Sequence, residues 1–247
     1  MQDEFADRVA VVTGAGRGLG KAVSALLGAR GAKVILLDID KAALEATAQE
    51  LRGKGHKIAV ACVDAGNEDE LAALRSRIEA ESGRLDILVN NAGGWRYGRA
   101  REITLSDWDW TFRTNVTVPF LTTRVLMDLM IPRSYGRIVN VASTDAYRPK
   151  PKLPHYAAAK AAVVSLTKSL AEELAPHQIL VNGVSPGPIA TETAKQQDWL
   201  AERAKSIPLG RVAEPEDIAE VIAFLASSRN RYIVGETIIA NGGLLMV

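Results

Sequence analysis

The stretch Val9-Ala10-Val11-Val12-Thr13-Gly14-Ala15-Gly16-Arg17-Gly18-Leu19-Gly20 decides how the rest of the chain reads. A short apolar run, Val9–Thr13, long enough for a strand buried on both faces, breaks into a glycine-rich turn. A helical pattern follows at once, from Gly20 to Arg30. The glycines at 14, 18 and 20 read GxxxGxG rather than the commoner GxGxxG, and they sit where backbone must turn sharply and approach a ligand closely. The N-terminus of the following helix supplies N–H donors suited to a pyrophosphate. A plain strand-to-helix turn also wants glycine, so the loop carries little alone.

Working outward, further apolar runs fall at Val34–Asp38, Ile58–Asp64, Leu85–Asn90, Arg137–Val141, Leu180–Ser185 and Thr237–Ala240. Helical patterns fall between them at Lys41–Gly53, Glu68–Ser82, Ser106–Ile131, Tyr156–Ala175 and Pro215–Ala226. This β-then-α alternation predicts parallel crossovers, and hence an α/β fold: a doubly wound, Rossmann-type parallel sheet of seven strands with helices on both faces. No repeat or low-complexity linker divides the chain, so residues 1–247 read as one dinucleotide-binding domain. Pro186–Pro208 reads as a long insertion after a strand, its part from about 188 to 208 expected to cover a site at the sheet's C-terminal edge.

Composition narrows the class. The 247 residues are 47% hydrophobic and 24% charged, with 30 Lys and Arg against 29 Asp and Glu. That balance gives no basic excess for nucleic acid. The single cysteine, Cys62, cannot close an internal disulfide, and His56, His155 and His177 fall at no metal-ligand spacing, so no metal is expected. Met1–Arg8 is acidic and polar where a signal peptide would be basic then apolar, and no run of about 18 apolar residues occurs. A cytoplasmic protein off the membrane is the expectation.

Asp38 ends the second strand, eighteen residues beyond Gly20, where a carboxylate can accept from an adenosine ribose. It could equally cap the following helix, although Asp40 stands ready for that task. Both carboxylates repel a 2′-phosphate. Arg17, inside the loop, is the counter-signal, since a guanidinium there can pair with the extra phosphate of NADP. No Arg follows Asp38 to offset its charge, so NAD is favoured over NADP.

Tyr156-Ala157-Ala158-Ala159-Lys160 opens the fifth helix after a buried strand and puts a phenol and an ammonium on one face. A tyrosine acting as base near neutrality must lose about three pKa units, worth about 4 kcal/mol. One cation about 4 Å away at an effective dielectric of about 20 supplies roughly that much. Thirteen residues upstream, Ser143 follows the strand Arg137–Val141, which delivers its hydroxyl to the same sheet edge.

Taken together, these residues resemble the short-chain dehydrogenase/reductase family, from Arg8 to about Gly243. The resemblance implies that Gly14, Gly18 and Gly20 hold the pyrophosphate, Asp38 the ribose, and Asp64 with Ala65 the adenine, and Arg17 and Leu19 of the same loop are also expected at the cofactor. Asn90-Asn91-Ala92-Gly93 resembles the family's NNAG strand end, so Asn91, Ala92 and Gly93 are expected to flank the cofactor. Pro186, Gly187, Ile189 and Thr191 resemble the nicotinamide-side loop. Asn115, Ser143, Tyr156 and Lys160 match the catalytic set, with Asn115 supporting a proton-relay water. Two departures stand out: Asn241-Gly242-Gly243 where Asp-Gly-Gly is frequent, and the bulky Gly94-Trp95 after NNAG.

The function so implied is NAD-dependent interconversion of a secondary alcohol and a ketone on a small molecule. Trp95, Asp145, Tyr147 and His155 are expected to line the substrate pocket, with Gly94, Tyr97, Thr144 and 188–208. Arg96, Arg148, Lys150 and Lys152 near these segments permit a polar substrate such as a polyol, sugar or hydroxyacid. An NADPH-linked 3-ketoacyl-carrier-protein reductase shares every catalytic residue and is the first rival, with Asp38 against it. An inactive dinucleotide sensor is the second, disfavoured because all four catalytic positions are filled. The Ala-rich face of Tyr156–Ala175 and the apolar end Leu244–Val247 point to a homo-oligomer, a homotetramer by the resemblance.

Overall fold

The computed structural model describes residues 4–196 and 199–247. Seven parallel strands form one sheet in the order β3-β2-β1-β4-β5-β6-β7. The strands are β1 (Val9–Thr13), β2 (Lys33–Asp38), β3 (Lys57–Cys62), β4 (Ile87–Asn90), β5 (Gly136–Val141), β6 (Ile179–Pro186) and β7 (Thr237–Ala240). The doubly wound architecture expected from the alternation is therefore present. Chain order reverses between β1 and β4, whose paired residues run Ala10 to Val12 against Ile87 to Val89. That reversal opens a crevice beyond the strand ends, where open sheets of this kind take ligands.

Alternate residues of each strand feed two cores, as the pleat requires. Ala10 and Val12 of β1 join Val34, Leu36, Val139 and Val184 on one face, under α1 (Gly18–Ala29), α2 (Lys41–Gly53) and, last in the chain, α8 (Pro215–Ala226). Val9 and Val11 join Ile35, Leu37, Ile138 and Val181 on the other. That second face is covered by α3 (Glu68–Ser82), α5 (Val118–Leu126) and α6 (Pro154–Leu174). Both cores are apolar and continuous, which leaves the strand ends as rigid mounts for loop residues.

One expected element divides. The pattern Ser106–Ile131 becomes α4 (Leu105–Phe112), a π-helical turn at Arg113–Thr117, and α5, followed by 3-10 turns. Pro119, second residue of α5, has no N–H to give the Asn115 carbonyl four residues back, and the Val118 N–H bonds the Arg113 carbonyl five residues back. The hydrophobic period runs through this turn unchanged, so periodicity could not show it. Helix α6 starts at Pro154, two residues before the expected Tyr156, because proline suits the first helical position.

The segment after β6 holds an isolated parallel bridge of Ile189 with Ala213, a 3-10 turn at Ala194–Gln196 and α7 (Trp199–Ala204). Gln197 and Asp198 of the expected covering insertion, like Met1–Asp3 of the N-terminal reading, lie outside the described residues. Among the described residues no helix is long and apolar enough to cross a membrane.

Candidate functional site

The glycine turn is built by contacts that exclude side chains. A Cβ on Gly20 would stand 2.1 Å from the Gly14 carbonyl oxygen and 2.7 Å from Asn91 Nδ2. Gly14 and Gly18 take φ of 63° and 52°, where a side chain is strained, and a Cβ on Gly18 would stand 3.1 Å from Thr191 Cγ2. Arg17 at the N-cap of α1 makes no side-chain capping bond, so the helix terminus is left to another acceptor. The turn therefore fits the pyrophosphate of a dinucleotide, with close backbone approach and uncapped donors at one point.

Thr13 and Asn91 tie the turn to the next strand end. The Thr13 hydroxyl accepts from the N–H groups of Asn91 (3.0 Å) and Ala92 (2.9 Å). Asn91 Nδ2 donates to the carbonyls of Thr13 (2.9 Å) and Gly14 (3.1 Å). Thr13 is missed by motif reading because it looks like the last residue of a strand. Its signal, a buried hydroxyl at a strand end, exists only once the two strands are paired.

The two readings of Asp38 separate here. Asp40 caps α2, accepting from the Ala43 N–H at 3.1 Å. Asp38 instead accepts from the Gly16 N–H at 2.9 Å and the Asp40 N–H at 3.0 Å, at the end of β2. Arg17 is ion-paired with Asp40, so the loop guanidinium already has a carboxylate partner. Asp64 accepts from the Gly66 N–H (2.8 Å) and pairs with Arg113 (2.8 Å), while Ala65 is buried beside it. Arg113, on the π turn, is a residue of this end that spacing did not single out.

At the other end, β5 delivers Ser143 and α6 presents Tyr156 and Lys160 one turn apart. A Cβ on Gly93 would lie 2.8 Å from Asn115 Oδ1 and 3.4 Å from Lys160 Nζ, so the NNAG strand end, the π turn and α6 converge on one point. Asn115 Nδ2 donates to the carbonyls of Gly94 (2.8 Å) and Thr111 (2.9 Å). Lys160, 4% exposed, donates to the Val141 carbonyl at 2.8 Å and lies 5.7 Å from the centre of the Tyr156 ring. Burial lowers its pKa to about 8.

The Tyr156 phenol runs against the expectation of an acidified base. Burial pushes its pKa up, the Ser143 hydroxyl that bonds it pulls down, and the Asp145 carboxylate pushes up again. The ammonium points its hydrogen bond at Val141 rather than at the phenol, so the one-cation arithmetic is not met in this arrangement. Trp95 stands edge-on to the Tyr156 ring, centroids 5.9 Å apart.

The pocket residues sort unevenly. Trp95 and Tyr97 are open to solvent at 53% and 69%, and Tyr147 is half-buried. Asp145 is buried, its N–H donating to Ser143 Oγ at 3.1 Å and its carboxylate holding Arg148 (3.2 Å) and Lys150 (3.1 Å). His155, expected in the pocket wall, lies in the first turn of α6 and is fully buried; among the described residues neither ring nitrogen has a partner, and burial lowers its pKa. Arg96 is not free for a ligand either, being paired with Asp107 at 2.8 Å over the Trp110 ring. Thr191 reaches back over Gly18, Ile189 packs on the core under α1 and α8, and Gly187, just beyond Pro186, lies against Asn241. Asn241 itself holds the chain end, donating to the Leu245 carbonyl at 2.9 Å.

A parallel sheet with such a turn at its switch point is the fold of the dinucleotide-dependent oxidoreductases. The chain belongs to the short-chain dehydrogenase/reductase family: a family model described as enoyl-(acyl carrier protein) reductase matches residues 14–245. A 3-oxoacyl-(acyl-carrier-protein) reductase of Thermotoga maritima is 38% identical over 97% of this chain and 98% of its own. A subunit of a (2S)-((R)-hydroxy(phenyl)methyl)succinyl-CoA dehydrogenase of Thauera aromatica is 37% identical over 96% of both. The crystal structure of an Agrobacterium tumefaciens chain proposed to be a gluconate dehydrogenase superposes with a TM-score of 0.95 at 31% identity, covering 100% of this chain and 99% of that one. Membership makes the chain an oxidoreductase using a nicotinamide dinucleotide.

Proposed function

We propose that this chain is an NAD-dependent oxidoreductase that interconverts a secondary alcohol and a ketone on a polar substrate. The observation that carries the reading is the convergence of Ser143, Tyr156, Lys160 and Asn115 at the C-terminal edge of the sheet, beside Gly93. The bound nicotinamide supplies the hydride acceptor or donor. Ser143 holds the substrate oxygen and Tyr156 Oη exchanges the hydroxyl proton. Lys160, the nearest cation, favours the phenolate once the site is filled and binds the nicotinamide ribose. Asn115, with its carbonyl released by Pro119, anchors a relay water to Lys160.

In this reading Gly14, Gly18 and Gly20 cradle the pyrophosphate, with Arg17 and Leu19 beside them on the same turn, and Asp38 takes the adenosine ribose. Asp64 and Ala65 flank the adenine. Asn91, Ala92, Gly93, Pro186, Gly187, Ile189 and Thr191 line the nicotinamide half. Trp95, Asp145 and Tyr147 shape the substrate side, with 188–208 as its cover. NAD preference is supported by Asp38 at the end of β2 beside the glycine turn, a carboxylate that repels a 2′-phosphate, and by Arg17 being already paired with Asp40. The setting is taken as cytoplasmic and the assembly as a homotetramer; the exposed apolar Met246 (79%) and Val247 (85%) support association of copies but not their number.

The names of relatives favour a second reading, an NADPH-linked 3-oxoacyl-carrier-protein reductase. One assay separates the two: turnover with NAD and with NADP(H) against polyols, sugar acids, hydroxyacids and a 3-oxoacyl thioester. Oxidation of a hydroxy substrate with NAD upholds the first reading; reduction of the thioester with NADPH alone replaces it by the second.

A further inference from the structure

The catalytic edge continues into a surface of unusual charge. Arg148 and Lys150, held by Asp145, also line an open cavity of about 380 Å³ together with Arg99, Lys152 and Arg203. The Gly98 N–H donates to the Lys152 carbonyl at 3.0 Å, which joins the loop after β4 to the loop before α6 and sets Arg99 beside Lys152. Pro149 and Pro151 complete the wall, and their fixed φ stiffens the backbone that presents the cations.

Elsewhere on the surface most cations meet an acid: Arg75 meets Asp128, Arg113 meets Asp64, and Arg211 meets Asp217. Here, among the described residues, Asp145 is the one acid ion-paired with any of the five cationic side chains; Glu102 accepts from the Arg99 backbone N–H at 2.8 Å, and the side chains of Arg99, Lys152 and Arg203 form no ion pair within 4.0 Å. Five cations around one carboxylate overbalance a single carboxylate ligand and suit a multiply charged one. Arginine forks and lysine point charges together are the usual means of holding phosphate.

We propose that this cavity binds the phosphate-bearing end of the substrate, while its hydroxyl or carbonyl carbon lies between Ser143 and Tyr156. The loop from Gly93 to Arg99 starts beside Asn115 and Lys160, carries Trp95 against the Tyr156 ring and ends with Arg99 in the cavity wall. The proposal depends on the oxidoreductase reading only in calling the ligand a substrate. The shared chemistry is a phosphate ester, carried either by a coenzyme A-like thioester or by a phosphorylated sugar acid.

The test is calorimetric titration of the NAD-saturated protein, whose own pyrophosphate cradle is then filled, with inorganic pyrophosphate, coenzyme A, 6-phosphogluconate and gluconate. The expected result is one site at which the phosphate-bearing probes bind at least tenfold tighter than gluconate, weakening as salt screens the cavity. Arg99→Ala with Lys152→Ala should weaken them at least tenfold more, while Arg229→Ala changes nothing. Coenzyme A as the tightest probe assigns a thioester carrier, and 6-phosphogluconate as the tightest assigns a phosphosugar. Absence of phosphate binding to the unmodified protein, or binding indifferent to the double variant, overturns the proposal. Neither result touches the turnover assay, so the two readings fail separately.

Discussion

Lys160 Nζ donates to the Val141 carbonyl at 2.8 Å while standing 5.7 Å from the centre of the Tyr156 ring. The ammonium is thus anchored to the end of β5 rather than to the phenol it is expected to influence. Its effect on Tyr156 is electrostatic and depends on what else enters the site, because burial alone drives the phenol the opposite way.

Tyr156→Phe removes the oxygen proposed to exchange the proton and leaves the ring that meets Trp95. Turnover is expected to fall by about 100-fold or more, within the range of a lost general acid–base group. Dinucleotide affinity, measured by fluorescence titration, should stay within a few-fold. A variant that keeps most of its activity removes Tyr156 from the chemistry.

Lys160→Met tests the cost of a buried cation. The folded pKa of about 8 lies below the free-lysine value of 10.5. Below pH 8 both folded and unfolded chains hold the proton, and the folded state bears the whole penalty, about 3 kcal/mol at about 1.4 kcal/mol per unit. Between 8 and 10.5 the unfolded chain binds more protons, so stability rises with pH and the penalty fades. Met at 160 should therefore stabilise the cofactor-free protein by about 2–3 kcal/mol at pH 7 in urea unfolding, and lose that advantage by about pH 10. A constant difference across that window would show that the ammonium is not strained by burial.

Asp38→Asn keeps an acceptor for the Gly16 N–H and deletes the charge. A carboxylate about 6 Å from a phosphate in a half-solvated groove repels it by about 1 kcal/mol or more. The ratio of kcat/KM for NADP to that for NAD should rise about tenfold. An unchanged ratio would place the selectivity elsewhere, with Arg17 and Asp40 the next pair to vary.

Gly20→Ala and Gly53→Ala form a matched pair. A Cβ at 20 meets the Gly14 carbonyl oxygen at 2.1 Å, so the turn must open, at a cost of about 1–3 kcal/mol and with loss of dinucleotide binding. A Cβ at 53, the last residue of α2, meets nothing within 4 Å and should stabilise by about 0.5 kcal/mol. Equal thermal shifts in the two variants would contradict the packed turn.

Much of this protein was determined by local sequence. The β1 run, its glycine turn and the alternation that follows specify a doubly wound sheet, because strands buried on both faces and crossover helices leave few other arrangements. The Tyr156–Lys160 pair and Ser143 were legible for the same reason: helix period and strand ends are short-range geometry. Tertiary structure alone decided which partner each polar group takes. It gave α2 its cap from Asp40 and left Asp38 on the glycine turn, placed a π-helical turn at Asn115 where Pro119 withholds its N–H, and buried the His155 ring in the first turn of α6. It also brought Arg99, Arg148, Lys150, Lys152 and Arg203 from three separate segments around one cavity. Burial and charge pairing depend on residues distant along the chain, and those distances exist only after the strands have paired.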